Sequence, residues 1–199
     1  MTGKISQLIL NLFGWHTNGF LPPGISQAVM IVAPHTSLWD FVIGRLTFYG
    51  TGPKLKVLIK KEAFVFPLNF LLKMLGGIPV DRGKKNNMVE NVASLYKVYK
   101  SLVVVITPEG TRRLARHWKK GFYLIALEAK VPIALAFIDY QNKTGGVGPL
   151  LYPSGDFEKD MAIIYDFYSD KTARHPERFF LPGSTTNKYI IYESKQKSN

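Results

Sequence analysis

Three stretches of this chain are apolar throughout: Val29 to Ala33, Leu102 to Ile106, and Val131 to Ile138. A strand with one wet face alternates apolar and polar residues, so runs without alternation read as strands covered on both faces. Leu55 to Ile59 and the short Ile78-Pro79-Val80 read as further strands. Between them the period changes: Leu38, Phe41, Val42 and Leu46 recur at helical spacing, as do Met88, Val92, Leu95 and Tyr99 within 85–100. Gly121 to Ala129 continues the helical series. Strands alternating with helices predict an α/β fold, a mixed and largely parallel central sheet flanked by helices. Such sheets collect their ligands at the carboxyl ends of strands.

Two of the buried strands run directly into polar clusters. The first continues as Pro34-His35-Thr36-Ser37-Leu38-Trp39-Asp40, where a helix begins. Ser37 to Asp40 has the S-x-x-D spacing of a helix start, in which Asp40 would return a hydrogen bond to the cap. The same carboxylate, in the first helical turn, can instead reach back to the imidazole of His35. A histidine held through one nitrogen presents the other as a base near neutral pH. Spacing alone leaves both readings open. The second strand runs into Thr107-Pro108-Glu109-Gly110-Thr111-Arg112.

Charge narrows the partners. Residues 28–130 carry 17 Lys and Arg against 6 Asp and Glu, while 131–199 carry 8 of each. Such a stretch attracts phosphate groups, an acidic carrier protein, an anionic leaflet or nucleic acid. No aromatic-basic nucleic-acid motif accompanies it, so nucleic acid is not an expected partner. The chain has no Cys, which removes thiolate nucleophiles, disulfides and Cys-ligated metals. With no H-E-x-x-H and no carboxylate cluster, no metal is predicted.

The 199 residues are expected to form a single domain: an amphipathic segment and loop over 1–27, a motif-bearing core over 28–140, and a frayed tail over 182–199. Ile5, Leu8, Ile9, Leu12 and Phe13 make a one-sided stripe, fit either to pack on the domain or to lie in a membrane interface. Gly14, Gly19 and Pro22-Pro23-Gly24 read as a loop. Neither a signal peptide nor a spanning segment is expected. The segment 64–75 is apolar on nearly every side, fit first for a core helix and second for a surface dipping into lipid. Gly145, Gly146 and Gly148 suggest a hairpin-like turn leading into Val147 to Leu151. Asp156 suits the cap of a helix with Met161, Ile164, Tyr165 and Tyr168 inward.

In order, the chain holds His35-Thr36-Ser37-Leu38-Trp39-Asp40, Lys60-Lys61-Glu62, Gly76-Gly77-Ile78-Pro79-Val80-Asp81-Arg82, Pro108-Glu109-Gly110-Thr111-Arg112 and Val131-Pro132-Ile133. This series resembles the lysophospholipid and 1-acyl-glycerol-3-phosphate acyltransferase family, with its H-x4-D and E-G-T-R motifs. It covers roughly residues 28–140, and Pro34 departs from it, standing where many members have Asn.

The resemblance implies a glycerol-3-phosphate acyltransferase-like fold and an O-acyltransferase. An acyl group would move from a thioester, acyl-CoA or acyl-ACP (acyl carrier protein), to the hydroxyl of a lysophospholipid, with 1-acyl-glycerol-3-phosphate giving phosphatidate. His35 would be the general base, Asp40 its orienting partner, and Glu109 a third member of the set, structuring the site or bonding the acceptor. Arg82, with Lys60 or Lys61, would take the acceptor phosphate, because a guanidinium binds phosphate through two donors. Gly110, Thr111 and Arg112 would complete the substrate site, and Arg112, Arg113, Lys119 and Lys120 would meet phosphates of the thioester carrier. Backbone amides near Ser37 or in 109–111 would face the developing oxyanion. The implied enzyme uses no cofactor beyond its co-substrate and sits in the cytoplasm, peripherally associated with a membrane surface. Three alternatives stay open: the same chemistry on another lysolipid or an amino-lipid, a non-catalytic basic domain binding membranes peripherally, and an enzyme acylated on Ser37 or Thr111.

Overall fold

A computed structural model describes residues 2–48, 55–74, 76–80 and 85–182. Seven strands form one sheet: β1 (His16–Asn18), β2 (Gln27–Ala33), β3 (Leu55–Lys60), β4 (Gly77–Val80), β5 (Leu102–Ile106), β6 (Ile133–Asp139) and β7 (Thr144–Leu151). Their spatial order is β1-β7-β6-β2-β5-β3-β4, and every pairing is parallel except β6 with β7. The expected mixed, largely parallel α/β sheet is therefore the fold. The apolar runs β2, β5 and β6 lie side by side at its centre, as strands covered on both faces must.

The helices are α1 (Thr2–Leu12), α2 (Trp39–Phe48), α3 (Leu68–Met74), α4 (Lys85–Val98), α5 (Gly121–Ala129) and α6 (Phe157–Tyr168). One sheet face packs Val29, Ile31, Leu102 and Val104 against Val92, Tyr96, Phe122, Ile125, Ile164 and Tyr168 of α4, α5 and α6. The other face packs Ala28, Met30 and Val103 with Leu10 of α1 and Ile43 of α2. Asp156 caps α6 as its spacing predicts, accepting the Lys159 amide.

Several expectations need correction. In α4 the inward aromatic is Tyr96, whose hydroxyl donates to the Ala28 carbonyl. Tyr99 lies past the helix end, exposed, because Tyr96 follows Val92 at i+4 and takes the core-facing place. Gly145, Gly146 and Gly148 do not make the hairpin turn, which falls at 140–143; they lie within β7. There they permit close approach: a Cβ at Gly146 would stand 1.5 Å from the Asn18 carbonyl oxygen, and one at Gly148 2.3 Å from the Phe167 ring. The expected loop over 14–24 contains β1, held parallel to β7 at that glycine.

The two apolar segments differ most. α1 packs through Ser6 and Leu10, while Ile5, Leu8, Leu12 and Phe13 of the stripe are exposed. The core-helix expectation for 64–75 fails, since no α3 residue is buried and Phe66 is 89% exposed. The cause is topological: α3 lies against β4, the last strand of the sheet, so one side has no layer to meet. No described helix is long and apolar enough to cross a membrane. The expected tail lies outside the described residues from 183 onward.

Candidate active site

Strand order explains why residues 74 positions apart meet. β2 and β5 are parallel neighbours, with Ile31 paired to Ile106, so the chain leaves both at one rim. His35 follows β2 and Glu109 follows β5. The Glu109 carboxylate accepts the backbone N–H of His35 with both oxygens, at 3.1 and 2.9 Å.

Asp40 unites the two readings of its spacing. Its Oδ2 accepts the amides of Thr36 and Ser37, each at 2.7 Å, and lies 3.3 Å from His35 Nδ1. Oδ1 accepts the Tyr140 hydroxyl at 2.7 Å. One carboxylate thus closes the turn before α2 and holds the imidazole. The Ser37 hydroxyl accepts the Trp39 amide at 3.2 Å, so α2 begins two residues beyond the serine. This contact with Asp40 places the Nδ1 proton toward the carboxylate and leaves Nε2 as the basic nitrogen. The imidazole is 20% exposed and the Asp40 side chain 1%.

Two neighbouring carboxyl groups are driven apart in acidity. Burial alone would raise Asp40, but hydrogen bonds from His35, Tyr140 and the two amides outweigh it and hold the group below the usual carboxylate range. Glu109, 3% exposed, is pushed up to about 8, chiefly by burial, with the Asp40 charge adding and the His35 amide opposing. Asp40 therefore carries the negative charge of the pair across the neutral range.

Gly110 turns the chain away from Glu109 at φ +68°, where a side chain is strained and where a Cβ would stand 2.6 Å from Lys119 Cε. Since the Lys119 end can swing aside, Gly110→Ala is expected to cost about 1 kcal/mol, nearly all from the left-handed backbone, read as a lower urea midpoint. Thr111 and Arg112 are exposed, and the Thr111 hydroxyl accepts the Arg113 amide in a local turn. Lys61 is exposed at the carboxyl end of β3 on the same rim; the Lys60 side chain and Arg82 lie outside the described residues. Arg113, Arg116, Lys119 and Lys120 are exposed around the loop, with Lys120 over the Phe157 ring at 4.1 Å. The amides of Thr36, Ser37 and Gly110 are spent on Asp40 and on the Thr107 carbonyl, so among the amides near Ser37 or in 109–111 expected to face the oxyanion, those of Ser37 and Gly110 already have partners.

Sequence reasoning missed Tyr140, Arg174 and the 172–175 segment. The Thr172 carbonyl accepts the Tyr140 amide at 2.9 Å, and the His175 amide donates to the buried Thr36 hydroxyl at 3.2 Å. Arg174 lies over the rings of Trp39 and Tyr140, 5.5 and 5.9 Å from their centres. A signal existed: Tyr140 follows the third buried strand, β6, parallel to β2, and so leaves the sheet at the same rim.

The largely parallel α/β sheet thus carries a carboxylate-backed imidazole at its carboxyl rim, where such sheets collect their ligands. The family model described as Acyltransferase matches residues 16–137, more than half of the chain, and the protein belongs to that family. It is an acyltransferase. The crystal structure of the 1-acyl-sn-glycerophosphate (LPA) acyltransferase PlsC from Thermotoga maritima has a similar fold, with a TM-score of 0.56 and 16% identity over 87% of this chain and 79% of that one. No curated protein sequence matches the chain.

Proposed function

We propose that the protein transfers a fatty acyl group from acyl-CoA or acyl-ACP to the free hydroxyl of a lysophospholipid, with 1-acyl-glycerol-3-phosphate as acceptor and phosphatidate as product. The observation that carries the reading is the imidazole of His35 backed by Asp40 at 3.3 Å on the rim where Glu109 also ends. His35 Nε2 removes the acceptor hydroxyl proton as that oxygen attacks the thioester carbonyl. Asp40 balances the imidazolium. Collapse of the tetrahedral intermediate breaks the carbon–sulfur bond, and the imidazolium returns its proton to the departing thiolate. No enzyme nucleophile is needed, in keeping with a chain that has no Cys.

Lys61, with Lys60 and Arg82, serves the acceptor phosphate, while Arg112, Arg113, Lys119 and Lys120 serve the thioester carrier. Glu109 acts on the loop rather than on substrate, because both its oxygens point to the His35 amide. Exposed apolar groups on three helical segments support peripheral membrane contact: Leu8, Leu12 and Phe13 by α1, Leu38 and Trp39 at the start of α2, and Phe66 and Phe70 around α3. The Thermotoga maritima PlsC, whose fold is similar, is named for an acceptor of this chemical class, 1-acyl-sn-glycerophosphate.

The test supplies a mixture of lysolipids with acyl-CoA or acyl-ACP, follows free thiol, and identifies the product by mass spectrometry. Phosphatidate formed with one thiol released per product is the expected result. Thiol release with a different acylated lipid reassigns the acceptor; no release with any donor and acceptor refutes the reading.

A further inference from the structure

The Asp40 carboxylate is held unevenly. Oδ2 gathers the Thr36 amide, the Ser37 amide and His35 Nδ1, whereas the neighbour of Oδ1 is the Tyr140 hydroxyl at 2.7 Å. Rotation about the bond that carries a carboxylate is soft and roughly two-fold, so bonds to one oxygen leave the plane of the other poorly defined. A second donor from a different direction fixes that plane.

Tyr140 is itself held from three sides. Trp15 meets its ring edge-on at 5.0 Å and 88°, the Thr172 carbonyl takes its amide, and Arg174 lies over the ring at 5.9 Å from its centre. The hydroxyl donates to the Asp40 carboxylate from a ring that is fixed on these sides. Burial and the bond to Asp40 keep the phenol well above its ordinary acidity range, so it remains a donor throughout the pH range of enzyme work. Trp39, over which Arg174 also lies, is the first residue of α2. The chain Arg174–Tyr140–Asp40–His35 therefore connects the segment after α6 to the imidazole through contacts made by side chains alone.

We propose that Tyr140 is a positioning residue for the His35–Asp40 pair, locking the carboxylate plane so that Oδ2 meets Nδ1, with Arg174 covering the Tyr140 ring and holding it in place. The proposal rests on His35 being the base. Tyr140 touches no reacting atom; it acts through Asp40.

The experiment compares Tyr140→Phe, which keeps the ring and its Trp15 contact, with wild type, His35→Ala, Asp40→Asn and the combined Tyr140→Phe/Asp40→Asn, in thiol-release assays. Tyr140→Phe is expected to lower kcat on the order of tenfold with KM unchanged, as loss of one charge-assisted hydrogen bond to Asp40 predicts. Tyr152→Phe, at a 66% exposed position, serves as the control that leaves activity unchanged. The kcat loss is expected to vanish in the Asp40→Asn background, because a residue that acts through Asp40 has nothing left to position. A kcat within about twofold of wild type, or a loss that adds in full to that of Asp40→Asn, overturns the proposal. Should Tyr140→Phe not fold, Arg174→Ala at an exposed position carries the same test, with roughly a threefold kcat loss expected and none overturning it. Activity surviving in His35→Ala would instead refute the base assignment, whatever Tyr140→Phe does.

Discussion

Alanine at position 35 is expected to lower kcat/KM by about 10³-fold while leaving the melting temperature nearly unchanged, since a general base contributes 10²–10⁴-fold. The two halves of this expectation come from different contacts. The activity loss follows from removing the imidazole backed by Asp40 at 3.3 Å. The retained stability follows from what Asp40 keeps: the Thr36 and Ser37 amides and the Tyr140 hydroxyl still satisfy its oxygens, and Glu109 still accepts the amide of residue 35. Asp40→Asn should behave differently, losing about 10²-fold in activity and also stability, because its one carbonyl oxygen can serve the Thr36 and Ser37 amides or the Tyr140 hydroxyl but not both, and it has no charge to offer either. Thiol release against lysophosphatidate, with thermal melts of the same preparations, separates the two. Activity of His35→Ala equal to wild type would refute the base assignment.

Much of this geometry is legible in the chain because buried strands announce themselves. β2, β5 and β6 have no polar alternation, which places them centrally and parallel, and their polar continuations must then share one rim. His35 and Glu109 meet for that reason alone. The Asp40 spacing is legible as well, though not which of its two uses holds. Oδ2 is close enough to the Thr36 and Ser37 amides and to Nδ1 to serve both, which spacing along a chain cannot reveal.

What escaped notice depends on contacts between distant positions. Tyr140 reaches Asp40 across 100 residues only because β6 is the strand beside β2, and Arg174 joins it only because Thr172 returns to the end of β6. The β7 glycines look like a turn in sequence, yet the 140–143 connection is already tight and Gly146 is needed where Asn18 passes. α3 looks like core because its composition is apolar, but composition carries no information on whether another layer lies beyond β4. Hydrophobicity identifies a surface that avoids water; topology decides whether another layer of the protein covers it.

Glu109 carries the largest expected effect on stability, and its sign is opposite to that of most carboxylates. Its folded pKa, about 8, lies above its ordinary value of 4.5, so the folded state binds a proton that the unfolded chain releases between those values. Stability from this group is complete below about pH 4.5 and is lost as pH rises toward 8, at up to about 1.4 kcal/mol per pH unit. Asp40 has the reverse linkage, with a folded pKa held below 3.8; its contribution is present above that value and lost as pH falls through the folded one. Wild-type protein should therefore resist urea better at pH 6 than at pH 8.5. Glu109→Gln keeps an acceptor for the His35 amide without a titrating group, so its urea midpoint should be nearly equal at the two pH values and at least match wild type at pH 8.5. Glu109→Ala leaves that amide without its partner and a space where the side chain lay, and should cost about 3 kcal/mol at either pH. The three proteins also decide how Glu109 acts: a residue that shapes the loop from behind leaves KM for the acceptor unchanged when converted to Gln, whereas one bonded to the acceptor raises it. Wild-type urea midpoints that do not fall between pH 6 and pH 8.5 would show that Glu109 is ionised where it lies, with the His35 amide outweighing burial.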